Sequence, residues 1–232
     1  MIDFRDRSND LERMDAPSIP EPELQLALAE LESINQNLDG YAPSIDAMKM
    51  LLPPGTRQAT LLDVGTGGGD VAVALAEWAK TAHIALAITA IDIDPVTVAY
   101  ARERCREHDA ITLLEQDLHG LAAELRFDVV HSSLVLHHFP GVAAADALRA
   151  MYAHARLGVV VNDLHRHPVA YHAIRALTWL FAKSPMIRHD APLSVLRAFT
   201  REELLELAAL AGVPEPRLLW RWAFRWQMVI AR

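Results

Sequence analysis

Five short apolar runs, at residues 59–64, 85–91, 111–115, 127–131 and 157–161, alternate with stretches of helical spacing at 69–80, 95–107 and 142–155. Strands that are apolar on both faces and separated by helix-length connections specify a parallel sheet covered on both sides. Right-handed crossovers then bring the C-terminal ends of the strands to one edge, where ligands bind at the topological switch point. The expected fold is α/β, a Rossmann-like doubly wound sheet. Asp94 followed by Pro95 marks the start of the second helix, a carboxylate cap before a residue with no N–H to leave unpaired.

The flanks read differently. Residues 1–55 are expected to form an N-terminal arm and helical cap. Charges mixed with Pro17, Pro20 and Pro22 predict a loosely ordered arm. Leu24, Leu28, Leu31 and Leu38 then recur at helical spacing until Asp39-Gly40, and a second short helix is expected over 44–52. After the fifth strand the pattern breaks over 162–199, an insertion that holds Trp179, Phe181 and four of the eleven histidines. Its apolar stretch 170–182 suits a core helix, a membrane-surface helix or a lid over a greasy substrate. Arg175 and Lys183 supply little attraction to anionic lipid, which favours the lid. Thr200-x-x-Glu203 reads as a capping box opening a last helix that stops at Gly212. Trp220, Trp222, Phe224, Trp226, Met228 and Ile230 then alternate at period two, over too long a span for one strand, so a hairpin is expected.

Composition narrows the function. The 232 residues carry 22 Lys and Arg against 30 Asp and Glu, a net charge of −8 that disfavours a phosphate-backbone binder. No window supplies the roughly 18 uncharged apolar residues of a membrane span. Met1-Ile2-Asp3-Phe4-Arg5-Asp6 is too charged to open a secretory signal, so a cytoplasmic location is expected. Cys105 is the lone cysteine, which excludes an internal disulfide and a thiolate metal cluster.

The strongest chemical signal is Leu61-Leu62-Asp63-Val64-Gly65-Thr66-Gly67-Gly68-Gly69-Asp70, an apolar strand running through glycines into a helix. Glycines allow a tight turn and a close approach of ligand to backbone, and the helix N-terminus offers free N–H groups. A plain strand-to-helix turn needs one glycine rather than four. The dinucleotide fingerprint requires glycine at position 70, where the Asp70 carboxylate would repel a pyrophosphate. No Gly-Lys-Ser/Thr follows, so a P-loop is excluded. A ligand without phosphate and with positive charge fits better, and S-adenosylmethionine is such a ligand.

Asp63-x-Gly65-x-Gly67-x-Gly69 resembles the first motif of class I S-adenosylmethionine-dependent methyltransferases. The similarity continues through Ala90-Ile91-Asp92-Ile93-Asp94-Pro95, Gln116-Asp117-Leu118 and the run from Phe127 to Phe139. Within that run, Leu136-His137-His138 is similar to enzymes of ubiquinone and menaquinone biosynthesis and to their secondary-metabolite relatives. The resemblance implies a seven-stranded sheet with the last strand antiparallel, residues 56–232 as the methyltransferase domain, and 162–199 as a substrate-covering insertion. It also implies S-adenosylmethionine as cofactor, with Asp63, Gly65, Thr66, Gly67 and Gly69 forming the loop that holds it. Asp92, at the end of the second strand, is placed to accept both ribose hydroxyls, since Asp94 already serves as the helix cap. Ile93 would pack on the adenine. Asp117 would accept from its amino group, with Leu118 offering a main-chain N–H. Ser132 and Ser133 would stand beside the methyl donor.

Methyl transfer is an in-line displacement, so holding the two reactants together supplies most of the catalysis. A hydroxyl acceptor gains about 10²–10⁴-fold more from a general base. The candidates are His137, His165, His167, His189 and Asp163; His189, in the polar run 188–194 of an otherwise apolar insertion, and His165 are preferred. His165-x-His167 beside Asp163 could hold a cation, but no convincing carboxylate cluster accompanies it, and no metal site is expected. The expected function is methyl transfer to a hydroxyl of a small aromatic or polyketide-like molecule. The alternatives are carbon methylation of a quinone-like ring and a non-catalytic cofactor-binding partner subunit, the latter disfavoured by the intact loop and Asp92. A nucleic-acid substrate is not expected, and a homodimer remains open.

Overall fold

The strands expected from the apolar runs are β1 (Gln58–Val64), β2 (Ala85–Asp92), β3 (Ile111–Glu115), β4 (Phe127–Ser133) and β5 (Ala155–Leu164), and the tail adds β6 (Arg217–Arg221) and β7 (Arg225–Ala231). The structure is a computed structural model that describes residues 3–16 and 19–232; Met1, Ile2 and Pro17, which entered the readings of the opening residues and the arm, lie outside the described residues. The seven strands form one sheet in the order β3-β2-β1-β4-β5-β7-β6. The first five are parallel, and β7 inserts antiparallel between β5 and the edge strand β6. This is the Rossmann-like seven-stranded sheet that the resemblance implied. The hairpin turns through Ala223 and Phe224, both at positive φ.

Helices cover both faces, which is why the strand runs are continuously apolar. Leu62, Val130, Val159 and Val161 pack under α5 (Gly141–His154) and α8 (Arg201–Ala211). Leu61, Ile88, Val129 and Val160 pack under α2 (Ala42–Leu51), α3 (Asp70–Thr81) and α4 (Pro95–Cys105). The caps read from sequence are present: Asp94 accepts from Thr97 N at 2.7 Å, and Thr200 with Glu203 forms the reciprocal box that opens α8. Val64 is in register with both Ile91 and Ser132, so the glycine loop, the end of β2 and the end of β4 share one sheet edge.

Above that edge stand α1 (Glu21–Asn37) and two helices of the insertion, α6 (Pro168–Phe181) and α7 (Pro185–Arg197). Ala27 of α1 packs on Met186 and Ile187 of α7. The insertion lacks a readable period because Pro192 lies inside α7 and that helix buries Asp190 and Arg197 along with its apolar residues. The expectation of a loosely ordered arm is corrected. Ser8 N donates to Leu196 O at 3.0 Å, the main-chain N–H groups of Arg13 and Met14 donate to the Asp190 carboxylate, and Glu12 is 3% exposed. The arm's charges find buried partners on α7, which sequence composition does not reveal.

Candidate active site

The glycine loop takes the shape its residues permit. Gly65 and Gly67 have φ of +65° and +54°, a region costly for side chains with a Cβ. A Cβ at Gly65 would come within 2.5 Å of the Val135 side chain, whereas one at Gly67 would meet nothing within 4 Å, so this part of the loop faces open space. Asp92 ties the loop to β2: one carboxylate oxygen accepts from Gly67 N at 3.0 Å and the other from Asp94 N at 3.1 Å. Burial pushes its carboxyl above the ordinary aspartate value. Ile93 beside it is 72% exposed, an apolar surface next to the edge.

Asp63 and Thr66 brace the loop from behind. Asp63 is buried, accepts from the Thr66 hydroxyl at 2.7 Å and pairs with His131 Nδ1 at 2.7 Å. His131 Nε2 meets the Ser44 hydroxyl at 2.8 Å, linking the loop to α2. Asp117 is exposed and accepts from His119 N at 3.0 Å at the start of a short turn, while the Leu118 side chain belongs to the core. Ser132 is buried in β4, and the Ser133 hydroxyl oxygen is buried without a hydrogen-bond partner among the described residues. Asp70, at the first turn of α3, accepts from Asn35 Nδ2 at 2.8 Å and from the Tyr41 hydroxyl at 3.0 Å, which stitches the cap to the loop. Burial raises its carboxyl, partly offset by these two donors.

A cavity of about 260 Å³ lies between the sheet edge, α1, α6 and α7. Leu31, Ile34, Ile174 and Leu177 give it an apolar wall. Leu134, another wall residue, holds a positive φ of 58° immediately after β4, and its neighbour Val135 rests on Gly65. The stretch from Ser133 to His137 therefore runs from the glycine loop to the cavity. Non-glycine residues in such strained conformations concentrate at functional sites.

Polar groups reach the cavity at a few points. His137 is 2% exposed, and its Nδ1 lies 2.6 Å from Asp163 Oδ1. Burial would raise the Asp163 carboxyl, but the charge and hydrogen bond of His137, with the main-chain donors Leu164 N and His137 N, outweigh it and hold the group below its ordinary value. Glu12 also lines the cavity, and burial pushes its carboxyl up to about 7 despite His138, Ser194 and Arg197 nearby. Arg225 is 3% exposed and gives Nη2 to Asn35 Oδ1 at 2.7 Å, and among the described residues Nε and Nη1 have no partner. Burial lowers its guanidinium pKa.

The two histidines preferred from sequence stand elsewhere. His189 is exposed with Nδ1 2.6 Å from Asp190 Oδ1, and it is not among the residues that line the cavity. The polar run around it serves to clamp the arm through Asp190. His165 packs its ring 4.8 Å from Trp226 and 5.4 Å from His167, again off the cavity wall, and burial lowers its pKa. Of the candidates, His137 lines the cavity, and Asp163 pairs with it from behind. Glu12, His138 and Arg225 were not singled out from sequence. Glu12 lay in the arm, His138 was seen only as part of a motif, and Arg225 occupied an intervening position of the alternating tail.

Residues 61–158 match the family model described as a methyltransferase domain. A release factor glutamine methyltransferase of Rhodopirellula baltica is 37% identical over 78 residues, covering 32% of this chain and 25% of that protein. A ubiquinone biosynthesis O-methyltransferase of Pseudomonas paraeruginosa is 29% identical over 165 residues, 66% of this chain and 67% of that protein. The chain thus matches a quarter of the first relative and two thirds of the second. Among solved structures, an S-adenosylmethionine-dependent methyltransferase from Aquifex aeolicus superposes with a TM-score of 0.63 at 15% identity, over 92% of this chain and 99% of that one. Sheet order, glycine loop and domain match together define a Rossmann-like methyltransferase fold. Residues 61–158 thus carry a methyltransferase domain, and that match supports S-adenosylmethionine as the cofactor.

Proposed function

We propose that this protein transfers the methyl group of S-adenosylmethionine to a hydroxyl oxygen of a small, largely apolar molecule, aromatic or polyketide-like, bound in the cavity above the sheet edge. The observation that carries the reading is His137, buried on the wall of an apolar cavity with Asp163 paired behind it, on a short stretch of chain that connects the cavity to the glycine loop. At about 260 Å³ the cavity is at the small end of ligand sites, which fits a compact acceptor rather than a macromolecule. The O-methyltransferase of ubiquinone biosynthesis among the relatives points the same way.

The residues divide the work. Gly65 and Gly67 let the cofactor approach the main chain, and Asp92 offers its free lone pairs to the ribose. Asp117 and Leu118 stand where the adenine would end, with Ile93 against its face, and Ser133 supplies an unpartnered hydroxyl at the reacting end. His137 accepts the acceptor's hydroxyl proton as the carbon–oxygen bond forms. Asp163 fixes the tautomer that leaves Nε2 free and stabilises the resulting imidazolium. Arg225 presents its two unpaired donors to a second oxygen of the acceptor, a carbonyl or carboxylate.

Incubation with labelled S-adenosylmethionine and a panel of phenols, hydroquinones and hydroxypyrones tests the proposal. Oxygen-methylated product from acceptors that carry a second oxygen is expected. Methylation of ring carbon alone, or of no small molecule in the panel, would overturn it.

A further inference from the structure

We propose that Glu12, His137 and His138 form a site for one divalent transition-metal ion at the cavity wall. Among the described residues these three are the group whose ligand atoms converge, all lying within 4.8 Å of one another. Two neutral imidazoles and a carboxylate suit zinc, iron(II) or cobalt(II) and do not suit magnesium or calcium, which prefer all-oxygen shells.

Both imidazoles are already turned as metal ligands are. His137 Nδ1 is bound to Asp163 Oδ1 at 2.6 Å, and His138 Nδ1 to Asp15 Oδ1 at 2.9 Å. A carboxylate on Nδ1 places the proton there and leaves the Nε2 lone pair free, the arrangement that orients ligating histidines. The two Nε2 atoms face Glu12, at 3.6 Å from Oε1 and 3.9 Å from Oε2 respectively. The two imidazole edges and the carboxylate of Glu12 then meet in one corner of the cavity.

A positive centre between them, a proton or a metal ion, would relieve the contact. A shared proton would draw oxygen and nitrogen to about 2.7–3.0 Å, and the observed separations are wider. Two ligands of a tetrahedral ion bound at about 2.1 Å stand about 3.4 Å apart, close to the 3.6 Å seen. Among the described residues Glu12 Oε1 is buried with no hydrogen-bond partner, as an atom that ligates an ion would be. The neighbouring Arg197 offers only a distant counter-charge: its Nε is 3.7 Å from Oε1 but donates to His137 O, and its other nitrogens go to the main-chain oxygens of Asp10 and His138 and to Asp15.

Three protein ligands leave a coordination position open toward the cavity. In the proposed reaction, on which this consequence rests, the acceptor's hydroxyl would bind there and be acidified by the ion. With Nε2 given to the ion, His137 would hold it in place of acting as the base, and the acidified hydroxyl's proton would leave to solvent.

Cobalt(II) titration of the chelator-treated full chain, read by its visible absorption bands, tests the site without cofactor or acceptor. One equivalent is expected per chain, displaced by zinc. Glu12→Gln and His138→Ala should each abolish the bands, and Asp15→Asn, which removes only an orienting carboxylate, should weaken binding about 10–100-fold. Because His138 is partly exposed, its variant keeps the test open if the Glu12 variant does not fold. No saturable cobalt binding to the wild type, or binding unchanged in both ligand variants, would overturn the proposal. Acceptor methylation is measured separately: metal binding without methylation refutes the proposed reaction alone, and methylation by a chain that binds no metal refutes the site alone.

Discussion

Asp163 grips His137 at two points, taking the imidazole Nδ1 at 2.6 Å on one carboxylate oxygen and the main-chain N–H at 3.1 Å on the other. The histidine's position and ring orientation are thus set by one buried side chain at the end of β5. Whether His137 works as a base or as a ligand, its Nε2 is the atom presented. His137→Ala should lower kcat by about 10²–10⁴-fold with S-adenosylmethionine affinity unchanged. Turnover at saturating concentrations and cofactor calorimetry check this together, and full activity in the variant would remove His137 from the chemistry.

His189 gives the contrasting case. It pairs with Asp190 but is exposed and off the cavity wall, so His189→Ala should retain activity within a few-fold of wild type. Asp190→Ala should behave differently, because Asp190 receives the main-chain N–H groups of Arg13 and Met14. It should loosen the arm that carries Glu12, seen as faster amide exchange over residues 8–14. Unchanged exchange there would show that the clamp does not hold the arm.

How much of this was legible in the sequence follows from the range of each interaction. The strand–glycine–helix turn, the Asp94 cap and the Thr200–Glu203 box are local, and their residue types alone specify them. The topology was accessible through the alternation of strand and helix, which leaves few arrangements for a parallel sheet. Glu12 beside His137, and Arg225 beside Asn35, depend on distant segments meeting over the sheet edge, and no local pattern marks them. His189 misled because a polar run in an apolar insertion looks the same whether it lines a pocket or clamps a neighbouring segment.

Arg225 is a buried cation with two unpaired donors, which costs stability unless a ligand completes it. Arg225→Met keeps the side chain's bulk and removes that charge. The variant should melt no lower than wild type without ligand, while the KM for acceptors bearing a second oxygen rises about tenfold or more. Melting curves and acceptor kinetics decide it: a lower melting temperature with KM unchanged would make Arg225 a structural residue.

Asp92 receives Gly67 N and Asp94 N and keeps lone pairs for the ribose. Asp92→Ala loses both the sugar contacts and the tie across the loop. Charge-assisted hydrogen bonds of this kind contribute about 1.5–3 kcal/mol, so S-adenosylmethionine should bind about 10–100-fold more weakly. Calorimetry measures this directly, and unchanged affinity would show that the adenosine lies elsewhere along the edge.

Stability depends on pH through Glu203. Glu203 takes both arms of the Arg166 guanidinium and the Thr200 main-chain N–H, and these outweigh burial to hold its carboxyl below the ordinary glutamate value. A carboxyl depressed in the folded state binds fewer protons there than in the unfolded chain, so its contribution is present above the unfolded value of about 4.3 and is lost as pH falls through the folded one. The pair is partly open to solvent, so screening leaves on the order of 1 kcal/mol, or about 2–4 °C in melting temperature for a chain of this size. Glu203→Gln should therefore melt about that much lower at pH 7, with the gap closing as the pH falls below 4. Thermal melts at stepped pH measure the gap, and a difference that stayed constant down to pH 3 would show that the charge of Glu203 contributes nothing.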